Sequence, residues 1–375
     1  MVARSGLYGS HRNIARMSRR GVHPVNDTGK RVVVLKSPAY GDPNNNQPLP
    51  YRIDQLRNHG YEPVWTDRHL SGTWGRLARE TERWSLPWAQ AWLTRSERRD
   101  AVATVAMFES EGHGLALYRR ILRRRQPPLI IIGCWLADLA RAGGPRRSLY
   151  QWLYKSVDVV VVLSGNQRDT LSELLEIPAA RIAVVRFGVD LDELEQVSTS
   201  EDGSIVAAGR DLGRDWGTLA QAVHGSGWNV NLFTRSQQVA GLALPEEIEL
   251  HGTVGRESYL KALAAATVVA IPTYVREYPT GQTVLLEAMA LGKACVVTDT
   301  PAMREYVEDG VTGLLVPPGN AEAFREAVAV LMTDTVQRRS IGMNARIRST
   351  GSGGAETMWK EISQVIGGLS PRESR

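Results

Sequence analysis

The chain has 375 residues, of which 43% are apolar, so it is long enough to form two compact domains with hydrophobic cores. Its longest apolar stretch, Leu129 to Ala137, is much shorter than the ~20 residues that cross a bilayer, so no membrane-spanning helix is predicted. Residues 1–150 hold 25 Lys and Arg against 12 Asp and Glu, whereas the rest of the chain holds 20 against 28. A basic half indicates an anionic partner, and composition leaves nucleic acid, a lipid surface and a phosphorylated substrate open.

The first half of the chain has the pattern of an α/β domain. Residues 1–29 are Arg-rich with little periodicity, and we expect a basic, disordered arm there. Between 30 and 190, short β-branched runs alternate with stretches of helical periodicity. The predicted strands are Val32–Leu35, Pro63–Thr66, Ala101–Phe108, Leu129–Ile132, Val157–Leu163 and Ile182–Arg186. Because these runs are apolar throughout, we expect a parallel sheet covered by helices on both faces.

A second α/β domain is predicted over 204–350, after a polar, acidic linker at 191–203. Its predicted strands are Ile205–Ala208, Asn229–Phe233, Glu247–His251, Val268–Pro272, Ala294–Thr298 and Gly313–Val316. Residues 355–375 follow a glycine-rich break, and we expect a C-terminal helix and tail that packs back on the first domain. The predicted fold class is therefore α/β, with two Rossmann-like, doubly wound parallel sheets facing a cleft that holds the active site.

The most informative segment is a strand, a loop with Pro and Gly, and a helix that ends at Gly292. The backbone N–H groups of Gly281, Gln282 and Thr283 at the start of that helix form a seat for an anion such as a phosphate. One helical turn further on, the Glu287 carboxylate can accept two vicinal hydroxyls, as a ribose presents. The alternative is that Glu287 is an ordinary helix carboxylate and Gly281 a loop residue.

A second candidate site directly follows the first strand of the second domain. Arg210 and Arg214 are four residues apart, and two guanidinium groups can bind the two phosphates of a sugar nucleotide. Local pairing of these arginines with Asp211 and Asp215 is the alternative.

A third cluster follows a strand of the first domain, where Glu111 and His113 open a helix. A carboxylate and an imidazole at the carboxyl end of a strand can orient an acceptor hydroxyl or stabilise charge at an anomeric carbon. A capped helix start explains the acidic residues equally well.

The segment 271–320 resembles the donor-binding domain of the family 4 retaining glycosyltransferases (group 1), and residues 157–190 resemble the end of their acceptor domain. The resemblance implies the GT-B fold and transfer of a sugar from a nucleotide diphosphate-sugar to an acceptor hydroxyl, with retention at the anomeric carbon. It implies no metal ion and no cofactor besides the nucleotide-sugar substrate.

The resemblance also implies roles for single residues. Two glutamates at a fixed spacing hold the donor sugar and the nucleotide ribose in that family. Glu287 matches the second, whereas Glu277, the candidate for the first, lies two residues earlier than the spacing requires. Arg214 replaces a lysine that binds the donor phosphates, and His113 is the candidate for a histidine of the first domain.

Two further sequence patterns, an aspartate pair and a series of tryptophans, each allow another interpretation. Asp190 and Asp192 have the spacing of a metal-binding pair in another class of glycosyltransferase, but they lie at the linker, and no metal site is predicted. Trp84, Trp88 and Trp92 recur at helical spacing among arginines, which is typical either of a helix on an anionic membrane surface or of a buried helix face.

We therefore expect a cytoplasmic glycosyltransferase, with peripheral contact to the inner face of the membrane and no nucleic-acid partner. Two isolated cysteines favour a reducing compartment. A phosphorylase or nucleotide-sugar epimerase of related architecture is the nearer alternative. A basic protein that binds nucleic acid or a membrane surface is the weaker one, because it leaves the donor-like motifs unused.

Overall fold

The computed structural model describes residues 30–35, 50–64, 91–92, 94–122 and 126–369. The predicted basic arm, Trp84 and Trp88 lie outside these residues.

The first domain contains a six-stranded parallel sheet in the order β2-β1-β3-β4-β5-β6. Its strands are β1 (Lys30–Leu35), β2 (Tyr61–Val64), β3 (Ala103–Ala106), β4 (Leu129–Gly133), β5 (Val159–Val162) and β6 (Ile182–Val184). Nearly all of their residues are buried, as expected for a sheet with helices on both faces.

The second domain contains another six-stranded parallel sheet, in the order β12-β11-β10-β7-β8-β9. Its strands are β7 (Ser204–Ala208), β8 (Asn229–Phe233), β9 (Ile248–Leu250), β10 (Val268–Ile271), β11 (Ala294–Thr298) and β12 (Leu314–Val316). All twelve predicted strands and the two-sheet fold class are thus confirmed.

The described α-helices connect these strands. They are α1 (Glu109–Leu122), α2 (Leu136–Arg141), α3 (Gly144–Tyr154), α4 (Gly165–Leu175), α5 (Leu191–Glu195), α6 (Trp216–Val223), α7 (Arg256–Ala265), α8 (Gln282–Ala290), α9 (Ala321–Thr333), α10 (Thr335–Ser352) and α11 (Ala355–Gly367). Short 3-10 segments lie at Pro50–His59, Glu97–Asp100, Ala179–Arg181, Ser236–Gln238 and Met303–Glu305.

Side-chain caps explain where several helices begin. Asp215, Asn320 and Asp334 precede α6, α9 and α10, and each side chain accepts a backbone N–H from the first turn. Asp190 caps α5 in the same way, so the predicted linker at 191–203 begins with a short helix.

The strand order locates a ligand site in the second sheet. The chain moves outward in one direction from β7 through β8 to β9, and in the other from β10 through β11 to β12. The loops after β7 and β10 therefore diverge at their carboxyl ends and leave a crevice, which is where open α/β sheets bind ligands.

The C-terminal helices return to the first domain. Gly354, between α10 and α11, forms a bridge with Val189, and a Cβ atom at Gly188 would lie only 2.3 Å from the Gly354 carbonyl oxygen. Beyond it, Trp359 on α11 is fully buried and its indole N–H donates to the carbonyl of Tyr51 at 2.6 Å. Residues from both domains and α11 consequently share one hydrophobic cluster.

Candidate functional site

Arg214 occupies the crevice between the ends of β7 and β10. It forms an isolated antiparallel bridge with Thr273, which follows β10, and its side chain is only 4% exposed. A Cβ atom added at Gly209 would lie 2.2 Å from Arg214 Nε, and one at Gly281 would lie 2.7 Å from Nη1. The guanidinium therefore fits only because both neighbours are glycines, and Gly281 also has a φ of 91° that favours glycine.

The Arg214 guanidinium is partly compensated. Its Nε donates to Asp211 Oδ2 at 3.0 Å, whereas its buried Nη1 has no hydrogen-bond partner among the described residues. Thr273 Oγ1, on the neighbouring loop, and Gln282 Oε1, at the helix start, are also buried and have no hydrogen-bond partner in the part of the chain that the structure describes. An unsatisfied buried donor costs about 1–3 kcal/mol, and an anionic ligand at Nη1 would remove that cost.

The start of α8 differs in detail from the sequence expectation. Gly281 is the N-cap residue and supplies no side-chain cap, as an anion seat requires. The Gln282 N–H, however, donates to the Pro279 carbonyl at 3.1 Å, so the turn itself uses one of the three predicted amides. The Thr283 side chain is exposed.

Arg210 is exposed at the edge of the same crevice. Its carbonyl accepts from the Gln238 amide at 2.7 Å, and the same amide donates to the Asp211 carbonyl at 2.9 Å. Gln238 thereby holds the loop that carries both arginines, and no motif in the sequence indicated this residue.

Glu287 is more deeply buried than expected for a side chain that binds a ribose. It is 2% exposed, and its carboxylate accepts from Arg256 Nη1 at 2.5 Å and from the Tyr259 hydroxyl at 2.8 Å. Burial raises the pKa of Glu287, and the Arg256 charge opposes that shift. Arg256 also donates to Glu193 on α5 at 2.7 Å, so it links Glu287 to the interdomain segment.

Glu277 crosses the interface between the domains. Its carboxylate contacts Arg141 Nε at 2.6 Å and the Thr170 hydroxyl at 2.9 Å, both in the first domain. Its backbone N–H donates to Asp138 at 3.2 Å. Glu277 thus joins the loop between β10 and α8 (residues 272–281) to α2 and α4.

His113 and Glu111 lie inside the first domain. The His113 ring is 2% exposed, stacks on Tyr150 with ring centroids 5.1 Å apart, and has Nε2 at 3.2 Å from the Tyr154 hydroxyl. Glu111 is also buried and accepts from the Ser110 hydroxyl at 2.8 Å. The His113 contacts lie in the layer between α1 and α3, and a role of His113 and Glu111 toward an acceptor stays a prediction.

The end of β4 contacts the loop between β10 and α8. The Trp135 ring contacts Tyr278 edge to face at 6.2 Å, and the Tyr278 hydroxyl donates to Asp211 at 3.2 Å. Phe108 packs on the other side of Trp135 at 5.3 Å. The sequence showed only that this strand end lacks a histidine, and the aromatic contact across the cleft was missed.

Asp190 and Asp192, the aspartate pair at the linker, both form ion pairs with one arginine. Arg52 Nη1 lies 2.6 Å from Asp190 and 3.0 Å from Asp192. Within the described ranges, no group of three or more His, Cys, Asp or Glu side chains is arranged to hold a metal ion. Nor does any helix in the described part of the chain combine the length and apolarity that a membrane span needs.

Two family models match the chain: "Glycosyltransferase Family 4" over residues 28–193 and "Glycosyl transferases group 1" over residues 222–334. Together with the two facing parallel sheets, these matches define the class of protein as a GT-B glycosyltransferase. The chain belongs to the family 4 (group 1) glycosyltransferases.

Solved structures with the same fold cover almost the whole chain. Sucrose-phosphate synthase from Thermosynechococcus elongatus is 17% identical with a TM-score of 0.71, and the match covers 90% of this chain and 98% of that one. Anabaena HepE in complex with UDP-glucose is 16% identical with a TM-score of 0.66, covering 90% of this chain and all of that one.

Curated relatives match over shorter segments. An exopolysaccharide phosphotransferase of Streptomyces coelicolor is 29% identical over 52% of this chain, and D-inositol 3-phosphate glycosyltransferase of Kribbella flavida is 37% identical over 24% of it. The matched segments span only 22% and 20% of those two proteins.

Proposed function

We propose that the protein transfers a sugar from a nucleotide diphosphate-sugar to an acceptor hydroxyl. The observation that carries this proposal is the buried Arg214 guanidinium, held between two glycines at the strand-order crevice with one nitrogen left for an anion. The HepE complex with UDP-glucose, which shares the fold, supports a nucleotide-sugar donor. Arg210 and the start of α8 supply further positive potential for the second phosphate.

The proposed chemistry is dissociative and needs no protein nucleophile. As the bond from the anomeric carbon to the phosphate oxygen loosens, positive charge builds on the sugar ring and negative charge on the leaving diphosphate. Arg214, Arg210 and the α8 amides stabilise that negative charge, each well-placed donor contributing on the order of 3 kcal/mol. The acceptor oxygen bonds to the anomeric carbon on the face from which the diphosphate leaves, and the departing phosphate takes the acceptor's proton, so the anomeric configuration is retained.

We propose that Glu287 binds the ribose, and that the ribose hydroxyls take the place of Arg256 on its carboxylate. Arg256 compensates the buried carboxylate, and two ribose hydroxyls would replace its hydrogen bond to Glu287. Released Arg256 keeps its contact with Glu193, so its charge stays paired during the exchange.

The acceptor approaches from the first domain, beside Trp135. The contacts of Trp135 with Tyr278 and of Glu277 with Arg141 close the cleft from that side. Closure excludes water, which would otherwise compete with the acceptor for the activated sugar.

The proposal includes a location at the cytoplasmic face of a membrane. Ile121 and Trp152 are 64% and 39% exposed on α1 and α3, and the Arg120 guanidinium lies 4.9 Å from the Trp152 ring centre. An apolar and basic face of this kind suits an anionic lipid surface.

The decisive experiment identifies both the donor and the nucleotide released. A panel of nucleotide diphosphate-sugars is screened by thermal shift, because a ligand of the native state raises the melting temperature. The best binder is then incubated with EDTA, and the nucleotide product is resolved by chromatography. Release of the nucleoside diphosphate supports sugar transfer without a metal ion.

Two other results would replace the proposal. Release of the nucleoside monophosphate would favour transfer of a sugar phosphate over transfer of the sugar, and the Streptomyces relative is itself named a phosphotransferase. Indifference of the melting temperature to every nucleotide in the panel would remove the nucleotide-sugar assignment.

A further inference from the structure

A cavity of about 1010 Å³ lies at the edge of the first sheet where its strands begin. Lys30 at the start of β1, Tyr61 at the start of β2 and Ile366 in the last turn of α11 line it. Parallel strands run from this edge to the carboxyl edge that faces the donor site, so the cavity and the proposed donor site lie on opposite sides of the molecule. Its volume is at the upper end of the range of small-molecule sites.

The charge on the wall of this cavity is one-sided. Lys30, Arg95, Arg98 and Arg99 line it, and the lining residues that the structure describes include no carboxylate. Glu97 lies on the same 3-10 segment as Arg98 but is hydrogen-bonded by the Ser96 hydroxyl at 2.7 Å. The cavity therefore attracts an anion.

Arg98 is the unusual member of this group because it is buried and forms no ion pair with any residue that the structure describes. Its residue exposure is 1%, its Nη1 donates to the Thr94 hydroxyl at 2.5 Å, and its Nε donates to the Gln126 side chain at 3.4 Å. The Tyr118 ring lies 5.9 Å from the guanidinium carbon. All three partners are neutral, and a buried cation without a compensating charge is costly.

The charges around Arg98 increase that cost. Burial is the main cause that lowers the pKa of Arg98 to about 10; Tyr118 and Glu97 oppose the shift, and Arg119 and Arg95 add to it. Arg119 has its own partner, Asp158, at 2.8 Å. An anion in the cavity would compensate the buried positive charge of Arg98. It would also attract the exposed Arg95 and Arg99 side chains at the rim of the cavity.

We propose that this cavity is a second anion site, in which Arg98, Arg95 and Arg99 bind a phosphate group. Guanidinium groups match phosphate through paired donors, and Arg98 is held in place by neutral hydrogen bonds before the ligand arrives. The Arg95 guanidinium lies 4.2 Å from the ring centre of Trp92, which is 50% exposed. The phosphate belongs either to a free phosphorylated compound or to a lipid headgroup, and both offer the same group to the site.

The test measures phosphate binding to the full chain by calorimetry with inorganic phosphate as the probe. We expect Arg98→Gln to weaken binding by about tenfold or more, the usual loss for one charged hydrogen-bonding partner. Because Arg98 is buried, the double variant Arg95→Gln/Arg99→Gln, with both changes at exposed positions, is measured beside it. Arg339→Gln, an exposed arginine on α10, and Arg214→Gln, in the donor site, are the matched controls.

The source of the phosphate is decided by a second arm with phosphatidylcholine vesicles, with and without phosphatidylglycerol. Flotation only with phosphatidylglycerol, lost in the double variant and kept in Arg339→Gln, supports a lipid headgroup. Phosphate binding that is lost in the same variant without flotation supports a free phosphorylated ligand. The proposal is overturned if neither probe binds, or if the double variant binds both probes like the wild type. It does not depend on the proposed sugar transfer, since Arg214→Gln is expected to leave this site unchanged.

Discussion

At the scale of single residues, Arg214 differs from Arg210 although both come from one sequence pattern. Arg214 is enclosed between Gly209 and Gly281, whereas Arg210 is exposed. An enclosed guanidinium holds its geometry before the ligand binds, and an exposed one must lose side-chain freedom to do so. We therefore expect Arg214 to contribute more to the proposed phosphate binding than Arg210 does.

Arg214→Gln should lower donor turnover by about a hundredfold, the usual effect of removing one preorganised donor to developing charge. Arg210→Gln should have a smaller effect, and the exposed Arg339→Gln none. The measurement is the initial rate of nucleotide release from the donor found by thermal shift. A wild-type rate in Arg214→Gln would contradict the proposed role.

Glu287→Gln should reduce discrimination between a nucleoside diphosphate and its 2′-deoxy analogue by about tenfold. In the proposed complex the carboxylate accepts hydrogen bonds from two vicinal hydroxyls, whereas an amide offers one acceptor and one donor group. The affinities are compared by calorimetry. Equal discrimination in wild type and variant would show that Glu287 serves only the ion pair with Arg256.

Glu109 predicts a pH dependence of stability. It is 2% exposed, and burial raises its pKa from 4.5 to about 8. The folded state therefore holds the proton more tightly than the unfolded state, so this contribution to stability is complete below 4.5 and is lost as the pH rises toward 8. In Glu109→Gln that loss of stability is absent, because an amide does not ionise. The amide oxygen can still accept the hydrogen bond from the Leu136 N–H.

The difference is measured by urea denaturation of wild type and Glu109→Gln across that pH range. We expect their free energies of unfolding to diverge by a few kcal/mol toward the alkaline end. Parallel curves would show that Glu109 titrates near its ordinary value.

At the scale of elements, carboxylates of the second domain hold the helices of the first. The Gly165 N–H at the start of α4 donates to Glu305 Oε1 at 2.6 Å, and the N-cap residue Ser164 makes no side-chain cap of its own. Glu305 thus supplies from the other domain the negative charge that a helix N-terminus favours. Together with the contacts of Glu277 to Arg141 and Thr170, this contact couples the second domain to the first.

A double-mutant cycle separates this coupling role of Glu277 from the sugar-binding role that the resemblance implies. If Glu277 acts through Arg141, Glu277→Gln and Arg141→Gln should each lower kcat/KM a few-fold, and the double variant no further. Arg141 is 61% exposed, so a modest effect is expected for a solvent-screened pair. A large loss in Glu277→Gln with no loss in Arg141→Gln would instead favour direct contact with the donor sugar.

At the scale of the whole molecule, α11 fastens the chain end of one domain to the other. Trp359 is fully buried and donates to the Tyr51 carbonyl. Trp359→Ala should lower stability by about 3–5 kcal/mol, as expected for truncating a buried aromatic side chain. Trp359→Phe keeps most of the packing. It should lower the free energy of unfolding by about 1 kcal/mol, because the hydrogen bond to Tyr51 and some contacts of the larger ring are lost.

Urea denaturation monitored by circular dichroism compares the two variants with the wild type. A midpoint for Trp359→Ala equal to that of the wild type would show that α11 contributes nothing to the joint between the domains.

The sequence by itself determined the two sheets, because runs such as Val159–Val162 are apolar at every position and satisfy only a strand buried on both faces. It also placed Arg214, Gly281 and Glu287 near one another, since the loops after parallel strands open on the same edge. Only the tertiary structure decided which of these side chains is enclosed, paired or exposed. Glu287 meets Arg256 and Glu277 meets Arg141 through contacts between segments distant in the chain, and local spacing carries no information about such partners. The same holds for His113, whose helical position is compatible with either a cleft or a core and whose neighbours Tyr150 and Tyr154 place it in the core.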